Sequence, residues 1–320
     1  MNQYILRRLF IAIPVLFGVT VLIYLMIDLA PGDPVTAMIS PRDVSVRGTE
    51  WLDRERARLG FDQPWPVRYG VWISQALQGN LGYSLISGRP VSEMIASRLE
   101  PTLRLTVTAL VISSILSILM GVVSALYQYR FPDHALTTVS FVSVSIPGFF
   151  LGLALIYVFA LRLHWLPTGG MSTPGQPDSL GDTLRHLFLP ATVLGASLLG
   201  GLARYTRAGM LDVLHQDYIT VARAKGLRER TVLFRHALRN GLLPIITITG
   251  LRIPLLIGGA VIVEEVFAWE GLGRMGIQAV FSQDYPVIMA LNLMIAFVVI
   301  ASSLIADLLY AFVDPRIRYN

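Results

Sequence analysis

The side chains that could do chemistry in this 320-residue chain fall in two places. Between Arg204 and Arg239 stand eight bases (Arg204, Arg207, Arg223, Lys225, Arg228, Arg230, Arg235 and Arg239) against three acids, Asp212, Asp217 and Glu229. The other place is Arg252, alone in an apolar stretch. Neither pattern is catalytic. A dense run of cations is suited to gripping the carboxylates of a partner through charge-assisted hydrogen bonds, or else forms a solvated basic loop. A charge among apolar helices is costly and usually faces the bundle interior or a water-filled path.

Within the basic run, Asp217 is expected to N-cap a helix over Tyr218 to Lys225, which Gly226 stops in the left-handed conformation. A second helix is expected from about Arg228 to Arg239, closed by Asn240 and Gly241. Ala222, Ala224 and Gly226 are small enough to let a partner come close, with Arg223 and Lys225 in reach of its carboxylates.

Other chemistries find little support. A P-loop needs Gly-Lys followed by Ser or Thr. Lys225 is the only lysine and lies between Ala224 and Gly226, so the chain carries no Walker A and is not itself an ATPase. There is no cysteine for disulfides, thiolate metal sites or nucleophiles. His134, His164, His186, His215 and His236 show no close ligand spacing, and no serine sits in a GxSxG elbow. The chain is expected to be no enzyme and to hold no metal or cofactor of its own.

The elements that position these residues follow from composition. Hydrophobic residues make up 54% of the chain, only 15% are charged, and mean hydropathy is +0.60. A soluble domain has about 25% charged residues, so this composition belongs to the bilayer. The net charge of +5 fits membrane orientation better than nucleic acid, because no aromatic-basic platform lies outside the apolar stretches. Leu9 to Ile27 is uncharged and long enough to cross a bilayer. It exceeds the ~7–15 residues of a signal-peptide core, so an uncleaved first helix is expected. Further spans are expected at Leu105 to Tyr129, Ala135 to Leu161 (bent at Pro147-Gly148), Leu187 to Ala203, Leu242 to Val263 and Val287 to Ala306.

The resulting class is an all-α polytopic membrane protein of six transmembrane helices with both ends inside. Arg7, Arg8, Arg130, the eight bases, Arg316 and Arg318 then fall on the cytoplasmic side, as the positive-inside rule asks. Residues 31–103 form a helical extracytoplasmic insertion, with short helices expected at Glu50 to Leu59, Val67 to Gln78 and Val91 to Leu99. It is a packing cap, a contact surface for another protein, or both. Phe267 and Trp269 are expected as interfacial anchors, with Glu264 and Glu265 at the membrane edge.

Thr220-Val221-Ala222-x-x-x-Gly226 resembles the EAA-loop signature of permeases from binding-protein-dependent ABC importers. It departs from the pattern at Thr220 (usually Glu), Val221 (usually Ala) and Arg239, where Pro is usual. ARAKGL and RHALRN, the string GFDQPWPVRYGVWISQALQGNLGYSLISGRPV, VIVEEVFAWEGLGRMG, DYPVI and LLYAFVDPRIRY are similar to the dipeptide, oligopeptide, glutathione and nickel branch, in its first permease type.

The resemblance implies the type I importer fold over residues 1–320, in the inner membrane of a bacterium. It also implies a coupling loop over residues 204–243, whose coupling helix includes Asp217, Tyr218, Thr220, Val221, Ala222, Arg223, Ala224, Lys225 and Gly226. Implied partners are a second homologous permease, two ATP-binding subunits that hold ATP and magnesium, an extracytoplasmic solute-binding protein and the lipid bilayer. In the family this position of Arg252 often carries Gln. Two readings of Arg252 stand: it lines a translocation path and attracts a substrate carboxylate, or it pairs with Asp307, Asp28 or a helix carbonyl. The rival function is an ATP-independent secondary transporter or channel.

Overall fold

The computed structural model describes residues 2–29, 49–58, 62–177, 179–242, 248 and 253–313. Nearly all of them are helical; among the described residues the only β pairing is an isolated bridge between Tyr83 and Pro90. The first half contains α1 (Asn2–Asp28), α2 (Thr49–Arg58), α3 (Trp65–Leu77), α4 (Val91–Leu126), α5 (Phe131–Ser145) and α6 (Gly148–Leu155), which runs on as a π-helix over Ile156–Arg162. Then come α7 (Leu180–Leu214), α8 (Asp217–Ala224), α9 (Glu229–Thr231), a π-helix Val232–Leu238, α10 (Arg239–Gly241), α11 (Ile253–Val266), α12 (Leu272–Phe281) and α13 (Tyr285–Val313).

The chain divides into two units: residues 1–100 with 271–300, and residues 101–270 with 301–320. In the first, Tyr69 of α3 is buried against α1, edge-on to Phe17 and Tyr24, with its hydroxyl 2.9 Å from Thr20 Oγ1. Arg68 pairs with Asp28 beside it. Elsewhere in this unit Val91 and Ile95 pack with Leu272, Met275 and Ala279 of α12 and with Val287, Ala290 and Leu291 of α13. Asp284 is buried, and its carboxylate accepts from Ser84 Oγ and from the Leu85 amide at 3.0 Å. The DYPVI string therefore fixes the GYSLISGRPV loop.

In the second unit α7 is the central element, packed by α4, α5, α6 and α11. Small residues set the approach. A Cβ on Gly200 would stand 2.1 Å from the Ser140 carbonyl oxygen of α5, and one on Gly121 2.4 Å from Thr206 Cβ. Only glycine lets these helices lie so close, and close packing is where each contact gains dispersion energy.

Several expectations change here. Pro101 does not end a helix: α4 is continuous from Val91 to Leu126, merging the expected short helix with the second span. A proline inside a helix costs about 3 kcal/mol. Buried bonds around it offset that cost, since the Pro101 carbonyl accepts from Trp269 Nε1 at 2.9 Å and Thr102 Oγ1 donates to Glu264 at 2.6 Å. Trp269 and Glu264 are accordingly 0% exposed, and Phe267 is buried, so neither aromatic is an interfacial anchor. At Pro147 the chain turns by 105° between α5 and α6, a break rather than a bend. The helix that holds the fourth apolar stretch extends to Leu214, which puts Arg204 and Arg207 on α7 rather than in a loop.

Among the described residues three helices are long and apolar enough to cross a membrane: Val91–Leu126, Leu180–Leu214 and the Tyr285–Ile305 part of α13. The pair α5 and α6 makes a fourth if counted as one broken span, and Phe10–Met26 is a shorter apolar helix. Arg252, Arg316 and Arg318 lie outside the described residues.

Candidate functional site

The basic run folds as a short helix braced from behind. After α7 the chain turns at His215, and α8 begins at once. Asp217 is not the N-cap. Gln216 holds that place with extended backbone and no capping bond from its side chain, which donates back to Asp212 O at 3.3 Å, and its carbonyl accepts the amides of Ile219 at 3.0 Å and Thr220 at 3.4 Å. Asp217 is the first helical residue, where a carboxylate still favours the positive end of the helix dipole.

The other end is a Schellman stop. The Gly226 amide donates to Arg223 O at 2.9 Å and the Leu227 amide to Ala222 O at 3.3 Å, with Gly226 at φ +75°. This double bond pattern needs a left-handed residue, and Gly takes that conformation without strain.

One face of α8 looks into its own subunit. Ile219 is 0% and Ala222 6% exposed, packed with Ala125 of α4, Met210 of α7, and Val232 and Ala237 of the following π-helix. Ala222 is therefore a seat, not a gap for a partner, because its helical position puts it directly beside Ile219, three residues away. Sequence reading missed Ile219, although an apolar pair at this spacing within a polar helix was its available signal.

The rest of the helix and its stop are exposed: Asp217, Tyr218, Thr220, Val221, Arg223, Ala224, Lys225 and Gly226. Arg223 is not aimed outward alone. Its guanidinium donates to Glu229 at 2.8 Å, which ties α8 to α9. Tyr218 Oη accepts from Asn240 Nδ2 at 3.0 Å. Arg228, Arg230, Arg235 and Arg239 are exposed on the segments that follow, and Val221 and Leu227 add apolar area. The surface joins fixed cations to a few apolar anchors on a braced helix. That composition suits docking of an acidic protein surface, and its groups form no nucleophile and base pair.

Two of the eight bases do other work. Arg204 lies over the Phe141 ring, 5.1 Å from its centroid, and Arg207 pairs with Asp133 at 2.7 Å. Asp133 had no sequence signal, since its partner is 74 residues away.

Residues 117–319 match the family model described as a binding-protein-dependent transport system inner membrane component. The chain is 45% identical over 320 residues to the oligopeptide transport system permease protein AppB of Bacillus subtilis, covering 100% of both chains. It is 41% identical over 321 residues to the glutathione transport system permease protein GsiC of Escherichia coli, again covering 100% of both. In fold it is similar to the MetNI methionine ABC transporter, with TM-score 0.56 and 15% identity over 69% of this chain and 96% of the other. A crystal structure of an amino acid ABC transporter gives TM-score 0.52 and 16% identity, covering 69% and 94%.

Proposed function

The chain belongs to the binding-protein-dependent transport system inner membrane component family, and from that membership we propose that it is the permease subunit of a bacterial ABC importer for short peptides or a related small solute such as glutathione. Full-length likeness to oligopeptide and glutathione permeases carries the substrate class. In this reading residues 1–320 form one transmembrane domain of six spans in the inner membrane, with both ends in the cytoplasm. Residues 31–103 lie outside, and residues 204–243, which begin in the last turns of α7, carry the coupling loop.

A second, homologous permease supplies the other half of the path, and an external binding protein delivers the substrate. Two partner ATPases hold ATP and magnesium. The segment Asp217 to Gly226 docks on one of them, and Arg252 lines the path. The observation that supports this most is the two-sided α8: Ile219 and Ala222 anchor it inward while its cationic face stays open. A rigid lever between a partner and the spans needs both faces.

The test is extraction in detergent with an affinity tag on this chain. A second permease and ATPase subunits should copurify. A chain that comes alone and moves solute in proteoliposomes without ATP would overturn the reading in favour of an ATP-independent transporter.

A further inference from the structure

The second unit holds a cavity of about 970 Å³ that the coupling surface does not involve. Arg104 and Thr108, one turn apart on α4, form one wall. Thr183, Leu184 and Leu187 of the first turns of α7 form another, and the rim carries Ser172 and Glu270. We propose that this cavity receives a zwitterionic short peptide, with Arg104 taking the carboxylate and Glu270 the ammonium group. The proposal rests on the importer reading above and adds a site to it.

The walls are held in place. Glu270 follows Trp269, whose indole is buried and donates to the Pro101 carbonyl at 2.9 Å. Pro101 lies one turn before Arg104 on the same helix, so this single bond brings the acid-bearing turn to the base-bearing turn. Ala268, at φ +50°, makes the turn. The facing loop is tied at two points: the Gly170 amide donates to Phe267 O at 2.8 Å, and Thr173 donates twice to the Asp182 carboxylate, each at 2.7 Å. A rim fixed this way presents its charges at a set place and loses little entropy when a ligand arrives.

The chemistry of the lining selects the ligand. A guanidinium grips a carboxylate bidentately, and a carboxylate accepts from an ammonium. Arginine has five N–H donors and a carboxylate about four acceptor positions, so both can serve a ligand beside any protein partner. Thr108, Ser172 and Thr183 offer hydroxyls that both donate and accept, as an amide backbone requires. Leu180 and Leu184, both exposed, offer area to side chains. The volume is at the upper end of the roughly 300–1,000 Å³ of small-molecule sites. A molecule with opposite charges at its two ends and amides between them matches all three features.

The absence of native cysteine gives a direct test. In the full assembly (both permeases, ATPases and binding protein) in proteoliposomes, Thr108→Cys is reacted with a charged thiol reagent, with and without tri-alanine at rising concentration. Labelling of this chain should occur and should slow as tri-alanine rises. Adding Arg104→Gln should raise the half-protecting concentration about tenfold, equal to 1.4 kcal/mol, and Arg104→Lys should raise it less. Glu270→Gln should act likewise, and N-acetyl tri-alanine should protect equally poorly with Glu270 or its variant.

No labelling, labelling indifferent to tri-alanine, or unchanged protection in both charge variants would overturn the site. ATP-driven uptake of tri-alanine is read in the same vesicles. Uptake without protection removes only this site, whereas tri-alanine that accumulates without ATP or the ATPases removes the importer reading and the site with it.

Discussion

The guanidinium of Arg207 closes a fork on the carboxylate of Asp133, Nε to Oδ1 at 2.8 Å and Nη2 to Oδ2 at 2.7 Å. The same carboxylate accepts from Ser124 Oγ and, at 2.9 Å, from the Tyr129 amide. One acid thus gathers the end of α4, the turn before α5 and the last turns of α7. Arg207 stands a turn before Met210, part of the cluster on which α8 rests.

That arrangement makes the two partners unequal to remove. The Asp133 side chain is 4% exposed and that of Arg207 27%. Arg207→Gln leaves a buried carboxylate without its counter-charge and should destabilise the folded chain by about 3 kcal/mol. Asp133→Asn with Arg207→Gln should recover part of the loss, because no buried charge then remains. Thermal unfolding in detergent measures all three; a double variant no better than Arg207→Gln alone would refute the ranking.

Close helix approach gives a sharper contrast. Gly200→Ala places a methyl 2.1 Å from Ser140 O and should cost about 1–3 kcal/mol, the price of overpacking. Gly181→Ala meets nothing within 4 Å and should be neutral within about 0.5 kcal/mol. Equal melting temperatures for the two variants would show that α5 and α7 do not lie this close.

The two faces of α8 should separate stability from docking. Ile219→Ala empties a fully buried site and should cost about 2–5 kcal/mol, with subunit assembly falling in step. Val221→Asp, on the exposed face, should leave melting within about 0.5 kcal/mol yet reduce recovery of the ATPases with the tagged chain. If Val221→Asp retains full ATPase recovery, the exposed face is not the docking face.

Much of this was legible in the sequence, for reasons that individual residues make plain. Gly226 reads as a helix stop because few other residues tolerate its φ of +75°. The helices at Thr49–Arg58 and Trp65–Leu77 fall within a residue or two of their expected bounds, because Pro64 and the polar, amphipathic pattern act locally. What the sequence concealed depends on distant partners. Pro101 reads as a break until Trp269 and Glu264, more than 160 residues away, supply the bonds that keep the helix whole. Trp269 and Phe267 look like interfacial anchors, since an aromatic in a Gly-rich turn does not reveal which core it enters. Arg223 reads as a free cation, and its pairing with Glu229 depends on a turn geometry that its neighbours set only once folded.

The central claim is that α8 couples ATP hydrolysis on partner subunits to movement through this chain. Gly226→Leu tests it most directly, because the substitution strains the stop that holds the helix in register with its seat. ATP hydrolysis and solute uptake should be measured together in proteoliposomes of the whole assembly. The account predicts that hydrolysis continues while uptake falls towards background. Uptake per ATP equal to that of the unaltered chain, in a variant that assembles fully, would contradict it.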